Sequence, residues 1–239
     1  MKNSTQPQLV KRINIPDDWY LKLKHYIESE EFTKIANYVS ERRKHIDVFP
    51  HSNEIFRAFK LTSYKDLRVV IIGMDPYPTI YDAKPVACGL SFAPRDRNYV
   101  PPSLRKIYER IRDDFYKEEM TFPVDLDIEY WAKQGVLMLN AALTVEHGKP
   151  GSHMKIWANW TEEVIKTINE YNSGVIFCLW GKDAQAFKTK IGSHHIVLES
   201  EHPVAANYNG REWKCNHFKE INTHLFGVNG DSIEWIKTS

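Results

Sequence analysis

Three cysteines in 239 residues, Cys88, Cys178 and Cys215, are too few and too far apart for a disulfide framework. No C-x-x-C pair offers a zinc site. No apolar run approaches the length of a membrane span, and MKNSTQPQLVKR at the N-terminus lacks a signal-peptide core. The expectation is an intracellular protein of cytoplasm or nucleus, neither secreted nor attached to a membrane. An excess of one charge is missing as well, since 32 Lys and Arg face 31 Asp and Glu for a net +1. That balance neither requires nor excludes nucleic acid, because a local face can bind phosphates on a neutral chain. A Walker-type phosphate loop, a G-x-G-x-x-G turn and a G-x-S-x-G elbow are all lacking, so nucleotide-binding and α/β-hydrolase readings find no support.

What is present is material for a core: 42% hydrophobic residues, 13% aromatics and seven tryptophans. Residues 1–15 are polar without helical period and read as a flexible tail, leaving 16–239 as a single domain. WYLKLKHYIESEEFTKIANYVSERR, from Trp19, predicts two helices. Four short aliphatic segments follow, at 67–74, 135–140, 174–180 and 195–198. Their mostly unbroken apolar character predicts strands buried on both faces, as in a parallel sheet. The intervening SLRKIYERIRDDFYK, NWTEEVIKTINEY and KDAQAFKTKI read as helices, with NHFKEINTHLF after the last strand; Ser103 is the expected N-cap of the first. The fold class is therefore α/β, a three-layer α/β/α arrangement around a central four-stranded parallel sheet.

Ligands of open parallel sheets bind at the C-terminal ends of the strands. There the sequence puts Asp75-Pro76-Tyr77-Pro78, Asn140, Trp180-Gly181-Lys182 and Glu201-His202-Pro203. Each alone is ordinary turn chemistry. Together, an acid, a carboxamide and an imidazole on one rim define a candidate site, although spacing alone names no reaction.

The segments GMDPYP (73–78), GLSF (89–92), PPSL (101–104) and LNAALTV (139–145), with Ser152-His153, LWG (179–181) and His202-Pro203, occur in this order over about two-thirds of the chain. In that order the chain resembles family-1 uracil-DNA glycosylase. The resemblance implies hydrolysis of the bond joining uracil to deoxyribose in DNA, after the base has left the stack. It implies Asp75 as an ionised catalytic carboxylate and His202 as a neutral hydrogen-bond donor to uracil O2. Backbone N–H groups around Met74 would add donors to that oxygen. Asn140 would read the uracil edge, Tyr77 would exclude a C5 methyl, and Phe92 would stack on the base. Pro101, Pro102, Ser103, Ser152, Gly181, Lys182, Val204, Ala205 and Ala206 fall in loops that grip the DNA backbone in that family. No metal and no cofactor are implied.

The expected partners are uracil-containing DNA, single- or double-stranded, with replication or repair proteins and a DNA-mimic inhibitor protein as candidates. A monomer is expected. Several residues depart from the family pattern. Met74 replaces the usual Gln, Pro78 replaces a His as in poxvirus members, and the loop between Pro78 and Cys88 is longer and lacks a glycine-rich run. HPVAANYNGR (202–211) replaces the usual HPSPLS loop, so Val204 removes a phosphate-contacting Ser and Ala206 takes the place of a wedge Leu. Weaker action on duplex than on single strands is expected unless Tyr208 or Arg211 fills that role. Alternatives are a glycosylase retuned to another modified pyrimidine, and a DNA-binding replication-accessory module with secondary catalysis.

Overall fold

The computed structural model describes residues 13–116, 127–208 and 212–237. Four strands form its central sheet: β1 (Val69–Gly73), β2 (Val136–Asn140), β3 (Ile176–Trp180) and β4 (Ile196–Ser200). They are parallel, in the order β2-β1-β3-β4. β1, β2 and β3 are buried throughout, consistent with their unbroken apolar sequences. β4 lies at the edge, half-buried, and its exposed Glu199 pairs with Lys188. Register sets Gly73 opposite Asn140, Ile72 opposite Leu179 and Trp180 opposite Ser200. The four strand ends therefore open on a common rim.

The flanking helices fall in two groups. In the first, α1 (Asp17–Ile27), α2 (Glu30–Arg42) and α4 (Met154–Tyr171) pack on one another. Ser29 caps α2 by accepting the Phe32 N–H at 3.2 Å. The second group contains α3 (Pro102–Ile111) and α5 (His217–Asn229), tied through Trp131, whose ring contacts both Tyr108 and Phe218. Ile13 and Ile15 pack against the core, so the chain is anchored before α1 begins.

Local expectations needed three corrections. α3 starts at Pro102 with Pro101 as its N-cap, not at Ser103. Pro102 has no N–H to lose at the first helical position, and the Ser103 hydroxyl turns to Tyr77 instead. α4 begins at Met154, five residues before Asn159, because the buried spacing of Trp157, Trp160, Thr161, Val164, Ile165 and Ile168 extends upstream. The segment after Lys182 is not one helix but a short α-turn (Lys182–Gln185) and a 3₁₀ turn (Lys188–Lys190). Its buried anchors, Ala184 and Phe187, are three apart, a spacing that suits either period.

Trp160 is fully buried, with ring contacts to Tyr26, Phe32, Phe56, Phe59 and Trp157 at centroid distances of 5.4 to 6.3 Å. Trp160→Ala should lower the unfolding free energy by ~3–5 kcal/mol, measured by chemical denaturation. A loss under about 1 kcal/mol would show that this cluster is not a principal support of the fold.

Candidate active site

The rim is organised around a glycine. A Cβ on Gly73 would lie 2.6 Å from Asn140 Oδ1, 2.9 Å from Ser91 Cβ and 3.5 Å from Phe92 Cε2. Only a bare backbone lets the carboxamide and Ser91 approach so closely, while the ring sits at ordinary contact distance. Asn140, the last residue of β2, is 5% exposed. Among the described residues its carboxamide forms no side-chain hydrogen bond, so both its donors and its acceptor are free for a ligand.

Phe92 reaches this position through an unusual backbone. Its φ of 61° places a bulky residue in the left-handed region, at a typical cost of about 1 to 3 kcal/mol. Ser91 braces the preceding position, its N–H donating to Met138 O at 3.1 Å. The Phe92 ring lies 5.4 Å from Trp180 and 5.9 Å from His202. Tyr77 closes the same wall: its hydroxyl donates to Phe92 O at 3.1 Å, leaving the Ser103 hydroxyl to donate to it at 3.0 Å. Burial pushes the Tyr77 phenol above its usual range, with Cys88 and Tyr99 adding to the rise.

Asp75 follows the end of β1 by two residues. Pro76 is buried, and the turn is tied down where Pro78 O accepts the Gly148 N–H at 2.8 Å. One carboxylate oxygen accepts the Gly151 N–H at 2.6 Å. Desolvation raises the Asp75 carboxyl above its usual 3.8, the Gly151 bond opposes that rise, and the charge on Asp183 adds to it. His202 is also displaced, downward from 6.5, by burial, with Asp183 opposing. Its Nδ1 accepts the Val204 N–H at 3.3 Å. That leaves the proton on Nε2, so the neutral ring presents a donor on its other side. Gly181 makes room for it: at φ 90°, a Cβ there would meet His202 Cβ at 2.9 Å.

The structure thus brings Phe92 beside Asn140 and His202, and Tyr77 against Phe92. The remaining loop residues divide. Pro101 and Ser103 are buried, with Pro102 exposed. Ser152 Oγ accepts the Glu146 N–H at 2.9 Å, and among the described residues its own proton has no acceptor. Lys182 is exposed, and Val204 and Ala205 are half-buried in the short helix Pro203–Tyr208, which packs against α3. The side chains of Ala206 and Tyr208, and all of Arg211, lie outside the described residues, so the wedge expectation falls there. Met74 presents its backbone O to the Ala142 N–H at 3.0 Å, and its side chain approaches Gly151. Among the described residues, no group of three or more His, Cys, Asp or Glu could hold a metal ion, and no helix is long and apolar enough to cross a membrane.

Sequence reasoning missed the device that fixes the Gly151 donor. Glu146, 4% exposed, accepts from Arg42 of α2 at 2.5 Å and from Lys149 at 2.9 Å. Those cations hold its carboxyl down at about 2. The loop carrying Gly151 is thereby pinned to α2, far back in the chain. An acid followed three residues later by a lysine hints at the local pair; nothing local announces Arg42.

The fold and rim define an α/β protein with a candidate polar site at the carboxyl edge of a parallel sheet. Residues 59–226 match the model of the uracil DNA glycosylase superfamily, and the chain belongs to that superfamily. A uracil-DNA glycosylase of Christiangramia forsetii is 38% identical over 227 residues, covering 93% of this chain and 99% of its own. One from Fusobacterium nucleatum is 36% identical over 223 residues, covering 92% and 96%. Among solved structures, a mimivirus UNG variant in complex with UGI superposes with TM-score 0.82 at 24% identity, over 92% of this chain and 88% of that one. The UNG of Nitratifractor salsuginis gives 0.62 at 18%, over 92% of each. These structural likenesses bear on the fold alone.

The raised Asp75 carboxyl has a consequence for stability. The folded chain holds that proton more tightly than the unfolded chain, so the stability linked to it is complete below the unfolded value and is lost as pH rises through the raised value. Asp75→Asn, neutral at every pH, should melt higher than the parent at about pH 7, the gap closing below about pH 4. Calorimetric melts across that range check it, and a lower melting temperature at neutral pH would contradict it.

Proposed function

We propose that the chain acts as a family-1 uracil-DNA glycosylase, hydrolysing the N-glycosidic bond of an extruded deoxyuridine to release uracil and leave an abasic site. The observation that carries the reading is the placing of the Phe92 ring beside both Asn140, at the bare backbone of Gly73, and the His202 imidazole, 5.9 Å away. Superfamily membership and the curated relatives support the same reaction.

In this reading, uracil lies against Phe92 with its edge toward Asn140. The carboxamide donates to O4 and accepts from N3–H. Cytosine reverses both groups, and sites built on paired buried hydrogen bonds reject a mismatched base by ~10⁴ or more. Tyr77, tied at its hydroxyl to Phe92 and Ser103, cannot easily yield to a C5 methyl. That fixed ring favours uracil over the retuned-glycosylase reading. As the glycosidic bond breaks, negative charge grows on O2 and meets the Nε2–H of neutral His202. Positive charge grows on the sugar and meets ionised Asp75, which also orients the attacking water. One carboxylate suffices because uracil leaves as a stabilised anion, unlike the paired carboxylates of most glycoside hydrolases.

The DNA backbone would be gripped by the loops at Pro101, Pro102 and Ser103, at Ser152, at Gly181 and Lys182, and at Val204, Ala205 and Ala206. Ser103 contributes there through its loop, since its hydroxyl serves Tyr77. The poxvirus-like Pro78 holds its turn through its carbonyl and needs no side-chain donor. Residues 16–239 act as one glycosylase domain, monomeric and intracellular. Replication or repair proteins are candidate partners, and UGI, seen with mimivirus UNG, prompts the expectation of a DNA-mimic inhibitor.

Release of free uracil from a uracil-containing oligonucleotide tests the proposal, with Asp75→Asn expected to fall by 10²-fold or more. Activity should need Asp75 ionised and His202 neutral. Burial raises the Asp75 carboxyl above its usual range and lowers the His202 imidazole below its own, so the rate should fall on acidification as Asp75 gains its proton, at a higher pH than an ordinary carboxyl would give. A parent that releases no uracil, or a rate that rises on acidification, would refute the assignment.

The alanine at 206 makes a separate expectation. The parent should act more slowly on duplex than on the matching single strand, and Ala206→Leu should narrow the difference. Equal rates on both forms, retained in a Tyr208→Ala, Arg211→Ala double variant, would show that no wedge is needed.

A further inference from the structure

The long loop after Asp75-Pro76-Tyr77-Pro78 is a small hairpin, Ile80–Tyr81 paired with Lys84–Pro85. Its two-residue turn has φ of 46° at Asp82 and 57° at Ala83, the double positive pair of a tight hairpin turn that matches strand twist. The base of the hairpin is closed by Val86 N–H donating to Thr79 O at 3.0 Å. Short and closed by a tight turn, it exposes two large apolar side chains, Ile80 at 43% and Tyr81 at 42%.

Tyr81 does not wave freely. Its ring stacks on Tyr99 with centroids 4.5 Å apart and planes 27° from parallel. Tyr99 lies in the loop that leads into Pro101-Pro102-Ser103. The stack therefore bridges two loops of the candidate site: Tyr81 is four residues past Tyr77, and Tyr99 four before Ser103, whose side chains are themselves hydrogen-bonded. Four residues of chain reach at most ~14 Å, so the stack stands within a few nucleotides of the base pocket. Lys84 beside it is exposed and has no partner among the described residues.

We propose that the stacked Tyr81–Tyr99 pair is a second nucleotide-binding site, which receives an unpaired base of the DNA strand flanking the extruded nucleotide. This rests on the glycosylase reading for its location. A half-exposed, pre-stacked aromatic ring offers a π-face without further ordering of the protein, and any base can use it. Lys84 adds a cation for the neighbouring phosphate. An apolar protein partner would be served by Ile80 as well, but the parallel stack and adjacent lysine suit a base better. Unpaired bases are the natural occupant, since bases within a duplex are already stacked. The platform would therefore add to any preference for single strands.

The test is equilibrium binding of uracil-free single-stranded oligonucleotides, with bases removed one position at a time to leave abasic sugars. The parent should lose roughly tenfold in affinity when one particular base is absent. Tyr81→Ala should bind the intact strand roughly tenfold more weakly and show no further loss on that abasic strand. Tyr81→Phe, which keeps the ring, should match the parent and guards against a hairpin that has merely unfolded. The proposal is overturned if base removal affects Tyr81→Ala and the parent alike, if Tyr81→Phe binds as weakly as Tyr81→Ala, or if the parent does not bind the strand. Uracil release is assayed separately. A parent that releases uracil but lacks the base-dependent pattern loses only the platform; one that shows the pattern without releasing uracil loses only the glycosylase reading.

Discussion

Close approach at one residue, Gly73, is what the site depends on. β1 and β2 are in register there, so the strand end that launches the Asp75 turn is the direct neighbour of Asn140. The Asn140 carboxamide and the Ser91 Cβ both lie where a side chain on Gly73 would stand, and the Phe92 ring borders that space. The sheet thus supplies rigidity, and the missing side chain supplies room. Around this contact the other groups have fixed supports: Tyr77 is held at its hydroxyl, His202 at Nδ1 and Asp75 by the Gly151 N–H. Such supports matter because catalytic groups need placement within a fraction of an ångström.

The same burial that positions the two titrating groups shifts them in opposite directions. Asp75 rises and His202 falls, so their ordinary gap narrows. In the proposed reaction the carboxylate would gain from being poorly solvated near a developing cation, and a neutral imidazole would donate without giving up its proton. Asp183 opposes the fall of His202 and adds to the rise of Asp75, which makes this exposed residue a charge that both groups feel.

A near-neutral chain can meet a polyanion only through local features. In the proposed function those are the loops at the rim, where backbone groups, an exposed Lys182 and the Ser152 hydroxyl stand together on a chain of net charge +1. The Glu146 ion pairs to Arg42 and Lys149 serve a different end: they fix the loop that carries Ser152 and Gly151 to α2.

The parallel sheet was legible because strands buried on both faces must be apolar throughout, and the strand-end polar residues were legible because they interrupt that pattern. Asn140 and Asp75 stand out from their strands for this reason. Boundaries were less legible where two periods fit the same anchors, as after Lys182, or where a proline could begin a helix as readily as a serine, as at Pro102. Residue types at strand ends and the proline-flanked turn after Asp75 were therefore determined by local sequence, whereas the Gly73 approach to Asn140 and Ser91 was not. The Arg42–Glu146 brace, the Tyr77–Ser103 bond, the His202 tautomer and the Tyr81–Tyr99 stack were decided only by tertiary structure, because each joins groups whose separation along the chain, or whose backbone direction, no local pattern encodes.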